Sequence, residues 1–355
     1  MRALAALATP WARLALAAAL LFAFGLALYF VGPDWNQAAE AFQAVRWEWI
    51  LAAVGFNLLS VVARVLAWRT VIGQALPAPH PPFSHVFSAF SVGLMANAAL
   101  PGRVGELARV AVLVRHMPGR RGAWPTLVGS VVAHRVFDFF PVAVLVAWVL
   151  ATARIPHWAL TSLSILFAIG GGLFLFAFVS ARHHQRSQLD GLSAMRRLVA
   201  LARHGLGVMR RPLASVAAVW CQLLGWFCQL LAVWGTMRAF DLRLDLPAAG
   251  LVLVLMNVAT VVPLWPGNVG LLQAAIALPL VEYGVPYATG FAFGIGLQAI
   301  EASVGIGFGL FFLGREGLSF ASLQRMPPAV EAGDVLARSR EGLVERERAR
   351  SYLPR

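Results

Sequence analysis

The residues best placed to do chemistry are charges set inside apolar sequence. Arg103, Glu106 and Arg109 follow a Pro-Gly break three residues apart, so on a helix Glu106 can face either arginine. Two readings stand: an ion pair that holds the turn, or a head-group site. In the second, guanidinium forks grip a phosphate and a half-helix N-terminus adds positive potential. Arg135 and Asp138 sit near the centre of an apolar stretch from about residue 125 to 150. A charge there costs roughly 2.5–3.5 kcal/mol on an insertion scale, so each must pair or face a cavity. They can pair with each other one turn apart. Glu301 is equally central in its own stretch, with no basic neighbour in sequence. Its expected partner is Arg135, with a part in substrate handling or proton coupling. Arg64 is a further cavity-lining candidate, whereas Arg69 is expected to snorkel to the interface. His134 is expected to be packed and hydrogen-bonded. No metal site is expected at His183-His184, which lacks further ligands. Gly294-x-Gly296 and Gly305-x-Gly307-x-Gly309 lie inside apolar sequence with no strand before them, which reads as close helix packing. There is no Walker sequence, nucleophile elbow or zinc motif, so the expectation is a non-enzyme without cofactor that draws no energy from ATP itself.

The elements that must hold these charges are membrane helices. The 355 residues are 59% hydrophobic and 13% charged, against about 25% charged in soluble domains. Apolar stretches of about 20 residues recur, each long enough to cross the hydrocarbon core. The net charge of +13 comes entirely from arginine, clustered in short loops and the tail. That distribution is a cytoplasmic signature and excludes nucleic acid as a partner. Cys221 and Cys228 share one helix face and cannot form a disulfide within it. Full spans are expected at about 14–31 (a retained first span), 49–72, 125–150, 157–179, 212–240 and 286–313. A stiff proline-rich connector covers 76–82.

Two further apolar regions, 83–115 and 247–282, are interrupted. The first breaks at Pro101, Gly102 and Gly105, the second at Pro263, Pro266, Gly267 and Gly270. Proline and glycine stop a helix, and non-helical backbone at membrane depth survives only where it is buried in protein or lines a wet cavity. Pro-Gly-x-Val-Gly recurs at 101–105 and 266–270, and the following spans carry Arg135/Asp138 and Gln298/Glu301 at matching depth. This is an internal repeat. With three spans between the breaks, the two halves should be inverted. The expected fold is an all-α polytopic membrane protein of six full spans plus two inverted re-entrant hairpins. Residues 1–315 form the membrane domain and 316–355 a charged cytoplasmic tail. The arginine-rich loops place both termini in the cytoplasm and the chain in a bacterial-type inner membrane.

Asn97-Ala98-Ala99-Leu100-Pro101-Gly102-Arg103-Val104-Gly105-Glu106-Leu107-Ala108-Arg109, then His134-Arg135-Val136-Phe137-Asp138, resemble the first block of a known family. That family is the flippase-like transmembrane domain of lysylphosphatidylglycerol synthase. Pro263-Leu264-Trp265-Pro266-Gly267-Asn268-Val269-Gly270-Leu271-Leu272-Gln273 resembles its second block. The resemblance spans nearly the whole chain and implies movement of a phospholipid, aminoacyl-lipid or lipid-linked intermediate between leaflets. Together with the charges read above, the substrate-binding candidates are Asn97, Arg103, Glu106, Arg109, Arg135, Asp138, Glu301, Arg64 and Gln273. Gln273 stands where the family usually has Glu, and Asn268 replaces a Gly. The synthase domain itself is not matched. The alternatives are a secondary transporter of a small anionic solute and a non-transporting partner of a lipid-synthesis enzyme.

Overall fold

The computed structural model describes residues 32–99, 104–117, 123–156, 160–161, 212–260 and 266–317. The expected span at 14–31, that at 157–179 apart from 160–161, the loop at 181–211 and the tail beyond 317 lie outside the described residues. Among those described, the chain forms nine α-helices and one 3₁₀ turn, with no strand. They are α1 (Trp35–Gln43), α2 (Trp47–Ala75), α3 (Phe83–Ala99), α4 (Gly105–Arg115), α5 (Ala123–Thr152), α6 (Pro212–Ala239), α7 (Leu246–Ala259), α8 (Leu271–Val281) and α9 (Tyr287–Arg315).

Helices α2, α5, α6 and α9 hold predominantly apolar stretches of 27 to 29 residues, 47–75, 126–152, 213–239 and 287–315, long enough to cross a membrane. The chain is a multi-pass helical membrane protein. Helices α3, α4, α7 and α8 have 17, 11, 14 and 11 residues. Each is shorter than the roughly 20 residues a crossing needs. The short amphipathic helix α1 had no signal in the apolar pattern. It starts because Asp34 Oδ1 accepts from the Asn36 and Gln37 amides at 2.9 and 3.3 Å, satisfying two otherwise orphaned donors.

The order long, short, short, long occurs twice. Each of α6 to α9 begins within two residues of an offset of 165 from α2 to α5, the spacing that also separates Arg64 from Gln229. The corresponding helices α2 and α6 pack antiparallel. The Arg46 amide donates to Ala239 O at 2.9 Å, Gly235 lies against Ala53, Gly225 against Ser60, and Ala218 clusters with Val71. Small residues let these backbones approach, which is what drives association where lipid removes the hydrophobic advantage.

Two apolar clusters follow the two halves. One gathers α2, α3 and α4 with Leu127 and Val131 of α5, and Val304 and Leu313 of α9. The other gathers α6, α7 and α8 with Ala292, Phe293 and Leu297 of α9 and Leu145, Val146 and Val149 of α5. Helices α5 and α9 thus lend surface to both halves. Several of the helical glycines of α9 lie close against a neighbour. A Cβ at Gly294 would stand 3.2 Å from Gln273 Cα, one at Gly296 2.5 Å from the Phe240 ring, and one at Gly309 would collide with Met95.

Candidate functional site

The charges converge where α4, α5, α6 and α9 meet around α2. Glu106, in the first turn of α4, receives Arg109 from one turn along its own helix and Arg135 from α5. Arg135 also reaches Asp138 Oδ2 at 3.3 Å, so one guanidinium bridges two carboxylates. Arg109 is 4% exposed and lies 4.7 Å over the Trp68 ring and 5.4 Å over Phe90. Two aromatic rings and a carboxylate hold it. Arg135 differs: its side chain is 54% exposed at the middle of an apolar span.

The second cluster crosses between the halves. Arg64 of α2 donates to Gln229 Oε1 of α6, and Gln229 Nε2 donates to Glu301 Oε1 of α9 at 2.9 Å. Arg64 lies 5.0 Å over Trp226, whose Nε1 donates to Asp138 Oδ1 at 3.2 Å. This corrects the expected Arg135–Glu301 pair. Arg135 projects from α5 toward α4, while Glu301 projects from α9 toward α6, where a neutral amide meets it. The i, i+3 pair of Arg135 with Asp138 and the pairing of Glu106 with Arg109 are present. Arg103 lies outside the described residues, as do Pro101, Gly102 and Pro263.

Amide side chains brace both breaks. The Gly105 N–H, an orphan donor at the start of α4, gives its hydrogen bond to Asn97 Oδ1 at 2.9 Å. At the corresponding glycine, the Gly270 N–H donates to Gln273 Oε1 at 2.6 Å. Gln273 Nε2 donates to Gln298 Oε1 at 2.6 Å, and Gln298 Nε2 to Gly267 O at 2.5 Å. The second break turns through left-handed backbone at Gly267, Asn268 and Gly270, with φ of 71°, 45° and 89°. Asparagine tolerates that region better than other residues with a Cβ. Here Asn268 is buried and donates to Ala259 O at 2.9 Å, which accounts for its presence in place of a glycine. Gln273 caps with a neutral oxygen, so the position positions backbone without a charge.

Sequence reasoning missed Gln229, Trp226, Asn57 and Gln222. Asn57 Nδ2 donates to Ile300 O at 3.3 Å, and Gln222 Nε2 to His134 O at 3.4 Å. Donors and acceptors both stand about 165 residues apart, so each core helix is pinned to the long helix of the other half in the same way. The signal was available as amides recurring at the repeat offset inside apolar spans. His134 is buried, as expected, beside Gln222 and edge-on to Phe90. Arg69 is exposed. Among the described residues no His, Cys, Asp and Glu group fits a metal.

A family model described as the lysylphosphatidylglycerol synthase TM region matches residues 11–309. No curated protein and no solved structure matched the chain.

Proposed function

The chain belongs to the lysylphosphatidylglycerol synthase transmembrane-region family, and from that premise we propose that it moves a phospholipid or lipid-linked head group between leaflets. The observation that carries the reading is Arg135: a guanidinium held by Glu106 and Asp138, yet half open to its surroundings at mid-span. An ion pair left open can exchange a carboxylate for a phosphate, to which the guanidinium fork is matched. Arg64, Arg109, Glu301 and Asn97 form the surrounding candidate shell, and Arg103 is a candidate from its place in the sequence. The role is binding and transfer without bond-making chemistry.

The same proposal takes the two helix–break–helix units as re-entrant hairpins and the two halves as an inverted repeat. Their short helices support the first point. The antiparallel packing of α2 on its counterpart α6 supports the second, since two equivalent helices run oppositely only if the halves they belong to do. With the arginine-rich loops inside, the chain is an inner-membrane protein with N- and C-termini in the cytoplasm.

Proteoliposomes containing labelled phospholipid test this. Arg135→Gln should lower translocation at least about tenfold in folded protein, and Arg135→Lys should restore only part, because an ammonium lacks the fork. Uptake of a soluble organic anion with no lipid movement would favour the solute-transporter reading. Neither movement, in folded protein, would favour a partner role beside a lipid-synthesis enzyme.

A further inference from the structure

At the ends of α3, α4 and α9, three titratable side chains tie the helices together. His85 lies in the first turn of α3, His116 caps the C-terminus of α4, and Glu316 caps the C-terminus of α9. The two imidazoles stack with centroids 3.9 Å apart and planes 16° from parallel. His116 Nε2 lies 3.0 and 2.9 Å from the two Glu316 oxygens, and Ser88 Oγ donates to Glu316 Oε1 at 2.6 Å. Both open ends of the first hairpin thus meet the end of the long helix of the other half.

We propose that His85, His116 and Glu316 form a one-proton latch, which docks the first hairpin on α9 within a pH window set by the two stacked histidines. One proton on His116 gives a charge-assisted bond to Glu316, favoured further by the negative ends of α4 and α9. Loss of that proton leaves a neutral and weaker hydrogen bond. A second proton on His85 sets two cations face to face over a single carboxylate. Among the described residues, the other charges nearby are Arg115 beside His116 and Arg315 beside Glu316. Arg315 adds positive potential at His85 and sharpens the penalty for the second proton. The latch is therefore tightest with one proton and loosens on both sides.

Spin labels on Ser84→Cys and Gly314→Cys read the latch directly; both sites are exposed, and Gly314 has open space around an added Cβ. Cys221 and Cys228 are replaced by alanine. In the full chain in liposomes, one short distance is expected near neutrality. A second, longer population should grow toward about pH 5 and toward about pH 9. Glu316→Gln should abolish both limbs. His85→Phe keeps a stacked ring without the second proton, so it should remove the acid limb alone. A distance constant across this range in wild-type protein overturns the proposal, as does a wild-type response in Glu316→Gln. If Glu316→Gln does not fold, the wild-type and His85→Phe profiles decide. No transported lipid enters the measurement, so its outcome is separate from that of the lipid-moving reading.

Discussion

At the scale of single residues, the site is governed by how few charges must satisfy one another inside apolar surroundings. Glu106 is shared between Arg109 and Arg135, so the two arginines are unequal in consequence. Arg109→Gln should destabilise by about 3 kcal/mol, the lower end of the cost of breaking a buried pair, because Arg135 still serves Glu106. Glu106→Gln leaves the buried Arg109 without a carboxylate and Arg135 with Asp138 alone, and should cost more, toward about 5 kcal/mol. In a double-mutant cycle read by thermal unfolding in detergent, Arg109→Gln and Glu106→Gln should couple by at least about 0.5 kcal/mol. Arg135→Gln and Glu301→Gln should add, since Glu301 is met by Gln229 and not by Arg135. Strong coupling between that second pair would overturn the geometry described above.

At the scale of elements, the first hairpin depends on a missing side chain. A Cβ on Gly105 would collide with Gly93 O and the Asn97 side chain, whereas Gly307 on α9 has nothing within 4 Å. Gly105→Ala should therefore cost about 1–3 kcal/mol or more by overpacking. Gly307→Ala should be neutral or gain up to about 1 kcal/mol from helix propensity. Equal unfolding midpoints for the two variants would mean that the hairpin is not closely packed at Gly105. The end of α9 makes a separate prediction. Burial works to raise the Glu316 carboxyl, but hydrogen bonds from Ser88 and His116 and the nearby imidazoles outweigh it and hold it below the ordinary carboxylate range. A carboxylate depressed in the folded state contributes stability that is complete above its unfolded value and lost as pH falls through the folded one. Between about pH 7 and about pH 3, Glu316→Gln should flatten part of the acid loss of thermal stability. An unchanged acid limb would show that Glu316 contributes nothing to it.

At the scale of the whole molecule, the central question is how the halves are oriented. The antiparallel contact of α2 with α6 and the paired braces from Asn57 and Gln222 both follow the 165-residue offset. If the halves are inverted, the turn after α6 and the first turn of α3 should lie on opposite faces. Cysteines at Arg243 and Ser84, both exposed, should then label from opposite sides of sealed vesicles with an impermeant maleimide. Labelling of both from the same side would sink the inverted arrangement.

The sequence by itself determined the class, the four long helices among the described residues and where the short ones end. Apolar length is a local property, and so are Pro101-Gly102 and Pro266-Gly267, which interrupt a helix whatever surrounds them. The ends of α3, α4, α7 and α8 fall close to the boundaries those residues imply. The i, i+3 pairs were also legible, because helical spacing places their partners on one face. Only the tertiary structure decided which charge meets which across helices. Arg135 and Glu301 look complementary in sequence, but the antiparallel packing of α2 on α6 puts Gln229 between Arg64 and Glu301 and leaves Arg135 to Glu106. The roles of Asn268 and Gln273 were hidden for the same reason. Their identity makes sense only once the backbone at the second break is seen to be left-handed, and once the Gly270 amide is seen to need an acceptor.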